Sequence, residues 1–286
     1  MPATRRPEHF VAAGGGARLC THAFGSPGDP AVLLVMGQMA SMLWWPDGFC
    51  ERLAAAGRFV LRFDHRDTGR STSYPPGAPG YTGDDMVADG LAVLDGHGVT
   101  RAHVVGFSMG GALAQLLAIA HPERVATLTV ISSSPVAGAP EGLPGPDPAY
   151  LRHAAGGGEV DWAKPLEPIL REWRALAGDR PFDEAATRAF LERDLARTER
   201  PESLSNHALL PEASPPANEL ETPLLVIHGT ADPLFPLAHG EALAATKPSD
   251  VLVVLEGGGH ELHEQDWPAI VAAIVEHSAP FSAAGR

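Results

Sequence analysis

Short apolar runs alternate along this chain with longer segments in which apolar residues recur at helical spacing. Six mainly apolar runs are predicted to be strands, most of them buried on both faces of a sheet: 31–36, Phe59–Phe63, 102–105, Val125–Ile131, 223–228 and Val251–Leu255. Two antiparallel strands are predicted before them, near 9–13 and Arg18–Phe24. Helices are predicted over about 44–56, 82–96 and 111–120. This alternation predicts an α/β fold with a mostly parallel, doubly wound sheet.

Residues 135–216 interrupt the alternation. The segment opens with closely spaced prolines and glycines between Pro140 and Pro148, which favour a helix-poor linker. It continues with two amphipathic segments, 165–177 and 183–197, that are predicted to be helices. We therefore divide the chain into a core of residues 1–134 and 217–286 and a helical insertion of residues 135–216.

A candidate nucleophile lies in the turn between the strand at 102–105 and the helix at 111–120. The turn reads Gly106-Phe107-Ser108-Met109-Gly110. A G-x-S-x-G turn in this context holds the serine in a strained backbone conformation, and its glycines omit side chains that would collide. Ser108 is then exposed at the carboxyl edge of the sheet, and the Met109 N–H can bind an oxyanion at a helix N-terminus. The pattern resembles the nucleophile elbow of the α/β hydrolases.

Two partners for Ser108 follow from chain order, which in that fold is nucleophile, acid, histidine. Asp232 comes just after the strand at 223–228, and His260 comes after Val251–Leu255 and a glycine run predicted to be a flexible loop. Both follow carboxyl ends of strands, where α/β sheets carry their chemistry. We predict a Ser108, Asp232, His260 triad. The alternative for Asp232 is an ordinary turn residue before a proline.

His263 is the rival of His260 as the general base. The stretch from His260 to Glu264 also resembles a zinc motif, but H-E-x-x-H places its histidines four residues apart and here they are three apart. We therefore predict no metal. His228, at the end of its strand, is predicted to be a packed core residue.

The second oxyanion donor is expected from the loop after the strand at 31–36. The backbone N–H of Gln38 would serve whatever its side chain, while Gly37 could equally be an ordinary turn glycine. Together with Met109, Gln38 is the predicted oxyanion hole.

Four sequence segments carry a closer resemblance: Leu34-Val35-Met36-Gly37, Trp45-Pro46-Asp47, Arg62 through Thr72, and the Ser108 turn. Because of these four segments, the chain resembles the α/β-hydrolase superfamily over nearly its whole length. It is also similar to bacterial anthracycline methylesterases of the aclacinomycin methylesterase type. The resemblance implies that residues 135–216 form a helical cap over the site. It also implies that Asp64 and Arg66 form a structural charged pair beside the oxyanion loop.

The substrate pocket is predicted at the cap and the oxyanion loop. Met39, Trp44, Trp173 and Phe190 are the candidate lining residues, since methionine and aromatic side chains suit a bulky apolar ligand. The alternative for each is core packing. For Trp45 we expect core packing.

Composition narrows the classes of function. The chain has 286 residues, 44% of them hydrophobic, which is enough for a large core. A formal net charge of −14 argues against nucleic acid as a partner. Neither a signal peptide nor a membrane span is predicted, and the two cysteines, Cys20 and Cys50, are expected to be reduced. We therefore expect a cytoplasmic enzyme.

The sequence predicts a carboxylic ester hydrolase that forms an acyl-enzyme and needs no cofactor. Its substrate is expected to be a small-molecule ester, and a methyl ester of a bulky polyketide-like acid is the specific candidate. Alternatives are a cofactor-free perhydrolase, a non-catalytic ligand-binding protein on this fold, and a proline iminopeptidase. The last would need an acidic cluster in the cap, for which the candidates are Glu167, Glu172, Asp183 and Glu184. The oligomeric state is left open.

Overall fold

The computed structural model describes residues 6–157, 160–211, 219–247 and 249–281. Within them eight strands form one sheet: β1 His9–Ala12, β2 Arg18–Phe24, β3 Ala31–Val35, β4 Phe59–Phe63, β5 Ala102–Phe107, β6 Val125–Ile131, β7 Leu224–Gly229 and β8 Val251–Leu255. Their order is β1-β2-β4-β3-β5-β6-β7-β8. β1 pairs antiparallel with β2, and β2 pairs antiparallel with β4. The five remaining pairs are parallel, so the sheet is mostly parallel, as predicted.

The register of the central strands determines where the site can form. Val35 of β3 pairs with Gly106 of β5, so the loops that follow these two strands emerge side by side. β7 pairs with β6 on the other side of β5, and β8 lies beyond it. The carboxyl ends of parallel strands share one edge of the sheet, which brings the segments after β3, β5, β7 and β8 together.

Eight α-helices accompany the sheet in the described residues: α1 Asp47–Ala55, α2 Gly83–Gly96, α3 Met109–Ala120, α4 Pro148–Gly157, α5 Leu166–Leu176, α6 Glu184–Arg197, α7 Ala238–Ala244 and α8 Trp267–Ser278. One apolar core includes Met86 of α2 and Leu117 of α3, and a second includes Phe49 of α1 and Ile270 of α8. The doubly wound architecture is therefore present, with helices on both faces.

Two helical predictions needed correction. The helix expected over 44–56 begins only at Asp47, because Pro46 is extended (φ −60°, ψ 149°), and a separate 3₁₀ turn spans Met42–Trp44. The proline-rich start of the insertion contains helix α4, which begins at Pro148 where a proline is well tolerated. The predicted insertion helices themselves form as α5 and α6.

Helices α4 to α6 lie between β6 and β7 in the chain, after the strand that follows the helix of the Ser108 turn. The proposed division at 134/135 and 216/217 stays a prediction, and the second boundary falls outside the described residues. Cys20 and Cys50 are both buried and free.

Candidate active site

Ser108 occupies the sharp turn between β5 and α3. Its backbone has φ 54° and ψ −123°, a strained conformation for a residue with a side chain. The two flanking glycines are required by close contacts: a Cβ on Gly106 would collide with the Gly110 carbonyl, and a Cβ on Gly110 would collide with the Val35 carbonyl. The local sequence thus produces the strain that presents the Ser108 hydroxyl at the sheet edge.

The three residues predicted as a triad lie in one hydrogen-bonded chain. Ser108 Oγ is 2.9 Å from His260 Nε2, and His260 Nδ1 is 2.8 Å from Asp232 Oδ2. An ionised carboxylate only accepts hydrogen bonds, so the ring proton is on Nδ1. Nε2 is then free to accept the proton of the Ser108 hydroxyl.

The surroundings of Asp232 favour its ionised form. Burial raises the pKa of this carboxyl, but the His260 ring outweighs it and the net pKa is lowered. Oδ1 also accepts the backbone N–H groups of Leu234 and Phe235 at 2.9 and 2.8 Å. These bonds fix the carboxylate, and through it the orientation of the imidazole.

The loop that carries His260 is packed against the insertion. The His260 N–H donates to the carbonyl of Leu176, at the end of α5, over 2.7 Å. A Cβ on Gly259 would collide with Ala177, so this glycine permits the close approach. The sequence predicted a flexible loop here, whereas the glycines are buried and serve close packing.

The hydrogen bonds of the other two candidate histidines, His263 and His228, go to groups other than Ser108. His263 Nε2 contacts the Pro181 carbonyl at 3.3 Å, and its Nδ1 accepts the Gln265 N–H. His228 is completely buried, and its Nε2 donates to the Phe235 carbonyl at 2.7 Å, as expected of a core residue.

Both predicted oxyanion donors lie beside the Ser108 turn. Met109 is the first residue of α3, and first-turn N–H groups have no acceptor within their own helix. A Cβ on Gly37 would lie 3.3 Å from Ser108 Cβ, so the β3 loop passes directly over the serine. Gln38, the next residue, is on the same turn.

The prediction that Asp64 and Arg66 pair with each other is wrong. Asp64 forms an ion pair with Arg197 of α6 at 2.7 Å and accepts the Met42 N–H at 2.9 Å. Arg66 instead forms a bidentate pair with Asp89 of α2, both distances being 2.8 Å. Burial raises the pKa of Asp64 to about 6, an effect that Arg197 opposes. Both residues stabilise the structure, but each through a distant partner.

A cavity of about 380 Å³, the Ser108 cavity, is lined by Ser108 and His260. An adjoining cavity of about 390 Å³ shares part of its wall. Of the predicted pocket residues, Met39 lines the Ser108 cavity, Trp44 and Trp173 line both, and Phe190 lines the adjoining one. Trp44 and Trp173 stack with ring centroids 3.7 Å apart.

Sequence reasoning missed Asp194, which lines the Ser108 cavity from α6. Its carboxylate accepts the hydroxyl of Ser41 and, at 3.1 Å, the indole N–H of Trp44. Burial raises the pKa of Asp194. A signal was present, because Asp194 follows Leu191 by three residues and so shares its inward face. A charged residue on an apolar helix face indicates a specific partner.

The described residues contain no group of three His, Cys, Asp or Glu side chains arranged to hold a metal ion. In the same ranges, no helix has the length and apolar character needed to cross a bilayer. The arrangement of Ser108, His260 and Asp232 can transfer a proton from a hydroxyl to an imidazole beside two N–H donors. That combination suits nucleophilic attack on a carbonyl.

Comparison with known proteins shows which family this chain matches. Residues 30–266 match the family model described as alpha/beta hydrolase fold. Rhodomycin D methylesterase DnrP of Streptomyces peucetius is 38% identical, with 91% of this chain and 94% of that protein covered. Rhodomycin D methylesterase DauP of Streptomyces sp. strain C5 is 36% identical with the same coverage. The esterase RhEst1 from Rhodococcus sp. ECU1013 has the same fold (TM-score 0.79, 21% identity, 96% and 100% covered).

Proposed function

This chain belongs to the α/β hydrolase fold family, and we propose that it hydrolyses the methyl ester of a bulky, mainly apolar carboxylic acid through an acyl-enzyme on Ser108. The observation that carries the proposal is the hydrogen-bonded chain from Ser108 through His260 to Asp232. The protein is a carboxylic ester hydrolase, the class to which both methylesterase relatives belong by name.

In the proposed reaction His260 Nε2 takes the Ser108 proton as Oγ attacks the ester carbonyl carbon. The oxyanion that forms accepts hydrogen bonds from the N–H groups of Gln38 and Met109. His260, held by Asp232, then donates its proton to the departing methoxide, and methanol leaves. Water repeats the sequence on the acyl-enzyme: His260 takes its proton, and Ser108 is released with the free acid.

The residues that line the two cavities support the proposal that the acyl group is large and apolar. Trp44, Trp173 and Phe190 form one aromatic cluster, in which Phe190 meets Trp44 edge-on at 4.4 Å. Stacked and edge-on rings offer flat apolar surface for a polycyclic ligand. Both rhodomycin D methylesterases act, by name, on a methyl ester, which is the second support for this substrate class.

The carboxylates that a proline iminopeptidase would use are engaged with other groups. Glu167 and Glu184 both pair with Arg188, and Glu172 accepts the hydroxyl hydrogen bond of Tyr150. Asp183 caps α6 by accepting the Ala186 N–H at 2.9 Å. These pairings favour an ester over a peptide with a free amine.

The test measures hydrolysis of a methyl ester of a tetracyclic aromatic acid and of p-nitrophenyl acetate. Ser108→Ala should lower kcat by about 10⁵- to 10⁶-fold for both esters while the protein stays folded. The control Ser26→Ala changes a serine in a turn between β2 and β3 and should leave both rates unchanged. A fluorophosphonate should label wild type on Ser108. An active Ser108→Ala enzyme would exclude the mechanism, and turnover of the acetate alone would exclude the substrate class.

A further inference from the structure

Gln38 belongs to a turn that the local sequence does not hold by itself. The next residue, Met39, has a positive φ of 61°, which is unfavourable for a side chain of this size. Such a conformation persists only where surrounding groups impose it. The Gln38 N–H, the proposed oxyanion donor, lies one residue before this strained position, in the same turn.

His207 contacts the residue after Gln38. The Met39 N–H donates to His207 Nδ1 at 3.0 Å, and His207 Nε2 is 2.8 Å from the Arg66 carbonyl. An N–H can only donate and a carbonyl can only accept, so the ring is neutral with its proton on Nε2. His207 is buried, and burial lowers its pKa, which maintains the neutral ring. Both ring nitrogens are therefore engaged in orienting contacts.

His65 contacts the turn on the other side of Gln38. Its Nε2 donates to the Met36 carbonyl at 2.9 Å, and its ring lies edge-on to that of His207 with centroids 6.0 Å apart. His65 is fully buried, and burial lowers its pKa to about 3. The two neutral histidines thus hold the Met36 carbonyl and the Met39 N–H, which lie on either side of Gln38 in the chain.

We propose that His65 and His207, the bracketing pair, are positioning residues that aim the Gln38 N–H at the oxyanion. The inference rests on the proposed function and adds that the segment Pro201–Leu209, in which His207 lies, takes part in forming the oxyanion hole. Loss of one oxyanion donor costs about 10²- to 10³-fold in rate. A misdirected donor should cost less, about 10- to 100-fold.

Two polar variants of His207 separate positioning from packing. In His207→Asn the side-chain oxygen can take the place of Nδ1 and accept the Met39 N–H. In His207→Gln the amide can reach the Arg66 carbonyl, but the acceptor for Met39 is lost. We expect the Gln variant to lose about 10- to 100-fold in kcat with KM within about twofold, and the Asn variant to stay within about fivefold of wild type.

The readout specific to the oxyanion is affinity for a trifluoromethyl ketone, which forms a tetrahedral adduct with an active serine. Its inhibition constant should rise in the Gln variant by the same factor by which kcat/KM falls. The control is His103→Gln, at the opposite end of β5, where Nδ1 lies 2.9 Å from Thr127 Oγ1. That variant should leave kcat and ketone affinity unchanged.

Several results would overturn the positioning role. One is a His207→Gln variant that binds the ketone as tightly as wild type, and another is an equal loss of kcat in the Asn and Gln variants. Where only the Asn variant folds, a loss of kcat above about tenfold in that variant would overturn the role. In each case wild type still binds the ketone and is labelled on Ser108, so the proposed function survives. A wild-type protein that neither binds the ketone nor is labelled would overturn both proposals.

Discussion

The sheet and the helical insertion are stabilised by different kinds of contact. Every residue of strands β3 to β7 is buried, and the helices of both faces pack against them with apolar side chains. In the insertion, α6 has only two buried residues, Leu191 and Asp194, and one of them is charged. The core is therefore maintained by many apolar contacts, whereas α6 is attached through a few specific ones.

Those specific contacts end on the segments that build the site. Arg197 reaches Asp64 and Asp194 reaches Trp44, both beside the oxyanion loop. Arg180 forms a bidentate pair with Asp266, at 2.9 and 2.6 Å, just after the segment that carries His260. The contacts that attach the insertion to the core therefore lie beside the segments that carry the candidate site, and we expect changes in these side chains to affect both.

The largest effect is expected at the sheet edge itself. His260→Ala should lower kcat by several orders of magnitude, because in the described part of the chain His260 alone is hydrogen-bonded to Ser108 Oγ and can take its proton. His263→Ala, which removes contacts to Pro181 of the insertion and to the neighbouring Gln265, should change kcat less than about tenfold. The measurement is the steady-state kcat of both variants on one methyl ester. A reversed ranking of the two variants would assign the general base to His263.

An intermediate effect is expected where the insertion meets the core. Arg197→Met leaves the buried Asp64 without its ion-pair partner and should lower the free energy of unfolding by about 3 kcal/mol. The matched change Arg174→Met removes a pair with Glu184 between exposed side chains and should cost less than about 1 kcal/mol. Urea unfolding of both variants makes the comparison. Equal losses of unfolding free energy in the two variants would mean that the Arg197–Asp64 pair contributes no more to stability than an exposed ion pair.

At neutral pH the smallest effect concerns the sheet alone, because it appears only as the pH falls below about 6.5. Burial lowers the pKa of His103 to about 4, against an ordinary value of 6.5. The folded state then resists protonation while the unfolded chain accepts it, so this contribution is complete above pH 6.5 and is lost as pH falls toward 4. Between those values the unfolding free energy of wild type should fall by about 1.4 kcal/mol per pH unit more than that of His103→Gln. Parallel pH profiles would contradict the shift.

The difference between the apolar core and the specifically attached insertion also explains which features could be predicted from the sequence. The predicted fold and enzyme class are confirmed, and β4 and β6 have the predicted bounds, because a buried parallel strand is a continuous apolar run. β8 also has the predicted bounds, but the prediction that it is buried is wrong: it lies at the edge of the sheet, and Val251 and Val254 are exposed. The helix predicted from residue 44 begins at Asp47 instead, because Pro46 disfavours helical geometry in the residue before it and is itself extended. The roles of the triad, oxyanion and pocket residues stay predictions for the experiments above.

The features of the site that can be predicted from the sequence are local turns or follow the order of segments along the chain. The glycines around Ser108 dictate its strained turn, and the segments after two buried strands carry Asp232 and His260. Two contacts depend instead on how distant segments pack: Asp64 pairs with Arg197 rather than Arg66, and His207 accepts the Met39 N–H across 168 residues of sequence. Polar contacts of this kind have no periodicity, because they depend on where two distant segments meet after the apolar core has formed.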